Sequence, residues 1–86
     1  MPTIHSHQLP VTFNGQPDIA WKLPDNTDIQ SVNVLDLKGD ELCNVLTLTD
    51  NRIVLITATD GELIAGIYSD IDSACNGIAI DELERV

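Results

Sequence analysis

Between positions 42 and 68 the chain alternates three apolar segments, LCNVLTLT, RIVLITA and ELIAGIY, with two polar interruptions, Asp50-Asn51 and Asp60-Gly61. Each segment is too short for a typical helix and is rich in Val, Ile, Leu and Thr, and the interruptions consist of residues that tolerate positive φ. The pattern predicts an antiparallel meander. In the middle segment Ile53 and Leu55 point to one face and Val54, Ile56 and Ala58 to the other, so both faces are apolar. Such a strand belongs at the middle of a sheet. Its second face needs a cover: a curled sheet wall, a short helix or a second copy of the chain. The expected core is Val45, Leu46, Leu48, Ile53, Val54, Leu55, Ile56, Leu63, Ile64 and Ile67.

The flanks are read from weaker signals. Residues 2–9 form an extended lead-in, either an edge strand or frayed. An apolar stretch at 11–13 is followed by the tight-turn pair Asn14-Gly15 and a returning arm at 19–23, IAWKL. A turn cluster at 24–28 precedes a strand over 29–37, in which the apolar parity changes from Val32 and Val34 to Leu35 and Leu37, a pattern that suits a bulge. Past Tyr68, residues 70–75 fit one helical turn capped by Ser69 or Asp70. Residues 78–80 read as a strand, and the spacing of Ile80, Leu83 and Val86 predicts a closing turn of helix. The fold class is mainly β: a small antiparallel meander curled into a barrel-like or two-layer sheet, with a short helical turn near the C-terminus.

Composition sharpens this picture. A chain of 86 residues has room for one domain, and with Phe, Trp and Tyr present once each, the core must be built from Ile, Leu and Val. No apolar run approaches the roughly 18–20 residues that span a bilayer, and the start, MPTIHSHQLP, lacks the features of a secretory signal. The expectation is a soluble, cytoplasmic protein. Cys43 and Cys75 fit this placement as buried thiols rather than as a disulfide.

Charge adds the second signal. Fourteen Asp and Glu oppose four Lys and Arg, a formal net charge of −10, and no basic residue occurs from position 53 to 84 while Asp60, Glu62, Asp70, Asp72, Asp81, Glu82 and Glu84 all do. The resulting field repels nucleic acid and anionic lipid and steers association toward a basic partner.

Sequence signatures of chemistry are near misses. His5 and His7 share a side if they lie on a strand and could join Cys43 and Cys75 around zinc, but no C-x-x-C or paired knuckle occurs. Asp70-Ile71-Asp72 opens like a calcium loop and then puts Ala74 and Cys75 where an oxygen ligand and Gly are required. No nucleotide-binding or nucleophile-elbow motif is present. The expectation is therefore a protein without catalytic residues, metal or cofactor: a small acidic binding module, of inhibitor, immunity or accessory type, acting on a basic protein partner. The alternatives are a self-associating structural homodimer and a nucleic-acid mimic that blocks a DNA-binding protein. A homodimer is also expected beside the first reading, because the doubly apolar meander lacks cover. The expected contact residues are Asp60, Glu62, Asp70 and Asp72, with two aromatic candidates beside them: Trp21, read first as a core plug of the first hairpin, and Tyr68, read as a rim residue with a wet hydroxyl.

Overall fold

The computed structural model describes residues 3–12, 15, 17–37, 41–59 and 62–86. Its meander follows the apolar pattern: β4 (Glu41–Leu48), β5 (Ile53–Thr59) and β6 (Glu62–Tyr68) pair antiparallel in sequence. Asn51 takes φ 73° in the turn between β4 and β5, the left-handed conformation that Asn accepts more readily than most residues. Strand β3 (Ile29–Leu37) adds to β4, and the two-residue β7 (Asp81–Glu82) adds to β6, giving a five-stranded sheet in the order β3-β4-β5-β6-β7. The turns expected at Lys38-Gly39-Asp40 and Asp60-Gly61, together with Phe13 and Asn14, lie outside the described residues.

A second sheet covers one face of the first. It contains β1 (Thr3–His5), β2 (Ala20–Lys22) and β8 (Glu84–Arg85), ordered β1-β2-β8. Between the layers lie Ile4, Leu9, Trp21, Leu23, Leu46, Leu48, Val54, Ile56, Leu63, Ala65, Ile67 and Leu83. The opposite face carries a smaller cluster, Cys43, Val45, Ile53 and Leu55, capped by Ala74 from helix α1 (Ile71–Cys75). The cover over the second face of β5 is therefore the helical turn. Asp70 is its N-cap, accepting a 2.8 Å hydrogen bond from the Ser73 backbone N–H.

Of the two arrangements expected, the sheets take the two-layer one and do not close into a barrel. Four expectations are corrected. The arm at 19–23 pairs with β1, in the register Ile4↔Trp21, rather than with the stretch at 11–13. The register shift in β3 falls between Ile29 and Ser31, before the parity change. The tail forms no helix: β7 and β8 run along the edges of the two sheets, and buried Leu83 turns the corner between them. Backbone pairing explains this, since the Leu83 N–H reaches Ala65 and the Val86 N–H reaches Ala20, bonds a helical tail would forgo. Ile64, expected in the core, is only half-buried on the outer face. Among the described residues no helix is long and apolar enough to cross a membrane.

Candidate functional site

The chain's charge is distributed by the pairing of β6. Glu62 starts that strand and Tyr68 ends it, so Glu62 and Asp70 lie at opposite ends, about 20 Å or more apart at the rise of an extended strand. The acids expected to act together therefore divide. Glu62 borders a 390 Å³ depression that it shares with Arg85 and Glu82. Asp60 lies outside the described residues. Asp70 and Asp72 project at the far end, where β7 brings new acids: Asp81 stands opposite Ile67 and Glu82 opposite Gly66. Glu84 follows on β8, opposite Lys22. Asp70, Asp72, Asp81, Glu82 and Glu84 are all exposed.

Two of the cations described near this edge, Arg52 and Arg85, are engaged. Arg52 pairs with Asp50 at 2.6 Å across the β4–β5 turn, and Arg85 Nη2 donates to the Leu63 carbonyl at 2.9 Å. The Ser73 backbone N–H holds the Asp70 carboxyl below its ordinary value, so that acid stays ionised well below neutrality. Between the sheet edges runs an open groove of 280 Å³, walled by Asp25, Asp81, Glu82 and Glu84 against Lys22 and Arg52. Four carboxylates to two cations make its lining a place for a cationic side chain rather than for the mostly apolar surface of a typical small ligand.

Both aromatic candidates pack against the chain itself. Trp21 is 1% exposed and fills the space between the layers, so it has no surface to give a partner. Tyr68 is half-buried and folds back over Gly66, where an added Cβ would meet its ring at 3.2 Å. It shields the backbone of β6 on the outer face, in the manner of an aromatic covering a strand glycine.

A second polar constellation gathers at the N-terminus. Asp18 accepts hydrogen bonds from the Ser6 hydroxyl (3.2 Å) and the His7 backbone N–H (3.2 Å), and its other oxygen lies 3.1 Å from His5 Nδ1. The His7 N–H is the main reason the Asp18 carboxyl sits below its ordinary value, with His5 and Ser6 adding to it. The residue types are those of a hydrolytic triad, but the connectivity is different. Ser6 and His5 both bond the carboxylate, whereas nucleophile activation needs the hydroxyl on the imidazole. Buried Ser6 also accepts from the Ile19 N–H, so the cluster ties the segment after β1 to the start of β2.

The zinc arrangement does not form. His5 lies on the three-stranded sheet, while Cys43 is buried on the far face of the five-stranded one and Cys75 is exposed in α1. Neither cysteine is in a disulfide. Among the described residues no group of three or more His, Cys, Asp or Glu is placed to hold a metal ion. Comparison of the chain with protein-family models, with curated proteins and with solved structures returns no match.

Proposed function

We propose that this protein is a small acidic binding module that acts by occupying the surface of a basic protein partner, without catalysis. The observation that carries the reading is the gathering of Asp81, Glu82 and Glu84 on β7 and β8 beside the open groove, with Asp70 and Asp72 just past the end of β6, while Arg52 and Arg85 are held by local acceptors. Acids so placed give a one-signed field that accelerates encounter with a cationic surface, and the groove beside them can receive a Lys or Arg side chain. A nucleic-acid mimic has weaker support, because the acids fall into two groups, one after β6 and one on β7 and β8, instead of one evenly spaced row.

The test is affinity capture from the source lysate with the native chain and with Asp70→Lys/Asp72→Lys/Asp81→Lys/Glu82→Lys, each at low and high salt. A basic protein held by the native chain at low salt, released at high salt and lost by the folded variant is the expected result. With that partner purified, the variant should associate about tenfold more slowly or worse. Undiminished capture by the variant, with an unchanged circular dichroism spectrum, would reduce the acidic edge to a solubility feature.

A further inference from the structure

The opposite edge of the five-stranded sheet has a different character. Strand β3 is nine residues long, and among the described residues no strand pairs with its outer side. Natural edges of this length are normally blunted by Lys, Pro or a mid-strand bulge. Residues 31–37 hold continuous register with β4 and contain neither Lys nor Pro, and their one charge is Asp36. Val32, Val34 and Leu42, on the face that the three-stranded sheet covers elsewhere, are 38%, 45% and 52% exposed, because that cover ends before it reaches β3.

The direction of the backbone groups follows from the pairing. Leu48 donates its N–H to Arg52 in the β4–β5 hairpin, so Leu48, Leu46 and Asn44 turn their backbone groups toward β5, and Thr47, Val45 and Cys43 turn theirs toward β3. Their partners Ser31, Asn33 and Leu35 face β4 in return. Val32, Val34 and Asp36 therefore point N–H and C=O outward. About Asn33 the strand is self-complementary: in an antiparallel pair of copies centred there, Val32 of each meets Val34 of the other, and Leu35 meets Ser31.

We infer that this edge is a two-fold interface, in which β3 pairs antiparallel with β3 of a second copy and joins the two five-stranded sheets into one of ten strands. Val32 and Val34 exchange backbone hydrogen bonds with their counterparts, and their side chains form the cross-strand β-branched pairs that stabilise such contacts. Charge selects the occupant. Two copies of a chain of net charge −10 repel least where neutral surfaces meet, and the acidic edge lies at β7, four strand spacings or about 19 Å away. Pairing at β3 keeps the two acidic edges at opposite ends of the assembly, and an isologous contact closes as a dimer.

Light scattering of the full chain at high micromolar concentration tests this with Val34→Pro and Val34→Lys as comparisons. The Val34 N–H points away from β4, so proline there removes an intermolecular bond and no intramolecular one. The native chain should give twice the single-chain mass of 9.4 kDa, and both variants the single-chain mass with an unchanged circular dichroism spectrum. Amide exchange gives an independent reading: the Val32 and Val34 amides should be protected at high concentration and lose that protection on dilution. A native chain that remains monomeric, or whose Val32 and Val34 amides exchange freely at every concentration, overturns the inference and leaves the edge to a strand from another protein. A dimer that survives both substitutions overturns it as well.

Discussion

The two faces of the five-stranded sheet are built from the same kinds of residue and covered by unlike means. The inner face, carrying Leu46, Leu48, Val54, Ile56, Leu63 and Ile67, meets another sheet whose strands are fixed by backbone pairing and whose centre is Trp21. The outer face, carrying Val45, Ile53 and Leu55, meets the five residues of α1 and the ring of Tyr68. Burial is nearly as complete on both sides, with Ile56 at 0% and Leu55 at 4% exposure. What differs is how far each cover can move. A sheet whose strands are tied to one another by backbone pairing settles into a void less readily than a single helical turn does.

The strongest way to break that comparison is to delete volume on each side. Ile56→Ala should cost about 4 kcal/mol and Leu55→Ala about 2 kcal/mol, the upper and lower parts of the usual range, because the cost of such a deletion rises with the cavity that survives relaxation. Urea unfolding measures both. Against a total stability of roughly 5–15 kcal/mol, the inner deletion should leave a visibly destabilised protein at neutral pH. Equal losses would mean that α1 is as rigid a lid as the second sheet.

The meander was legible because β4, β5 and β6 each run seven or eight residues with Val, Ile and Leu on alternating faces, long enough for a period of two to register. The helical turn was legible through Asp70, an acid three residues before the N–H that it accepts from. The inner cover was not. Strands β1, β2 and β8 contain three, three and two residues, too few to show any period, and Leu83 stands at a spacing from Ile80 that also fits a helix. The acidic edge was half legible: a run without Lys or Arg is visible in the chain, but its division between the two ends of β6 depends on strand direction, and the arrival of Asp81 and Glu82 beside Ile67 and Gly66 depends on a pairing of only two residues. The free edge of β3 required the strand order, which local pattern does not carry.

Asn44 sharpens the comparison at an intermediate scale. It is fully buried on the inner face, where its Oδ1 accepts from the Val11 N–H and its Nδ2 donates to the Val11 carbonyl, both at 2.9 Å. The amide thus stands in for a neighbouring strand and holds the segment after the 3-10 turn (Ser6–Gln8) over β4, beyond the reach of the three-stranded sheet. Asn44→Leu keeps the size and removes both partners from Val11. It should cost about 1–3 kcal/mol, the penalty for stranding backbone groups in a part-buried place, and should release the Val11 amide to exchange before the rest of the sheet. A neutral or stabilising result would mean that the segment is seated by Leu9 packing alone.

The smallest effect distinguishes the two covers by their carboxylates. Asp70 caps α1 on the outer face and Asp18 ties together the segments that lead into the inner sheet, and each has its carboxyl held below the ordinary value of 3.8 in the folded state, Asp70 chiefly by the Ser73 N–H and Asp18 chiefly by the His7 N–H. A group with a lowered folded-state value favours folding above its unfolded value and loses that contribution as pH falls through the folded one. Both contributions are therefore intact at neutral pH and decline only below 3.8. Both carboxylates are exposed, so solvent screens each contribution to a small one. Asp70→Asn and Asp18→Asn should each flatten the acid limb of the stability curve slightly while leaving its neutral plateau nearly in place. Removing the acceptor separates them by exchange: Asp70→Ala should expose the Ser73 amide and leave His7 protected, and Asp18→Ala should do the reverse. If Asp70→Ala loosened the inner sheet instead, the outer lid would be coupled to the whole domain, and the two faces would unfold as one unit.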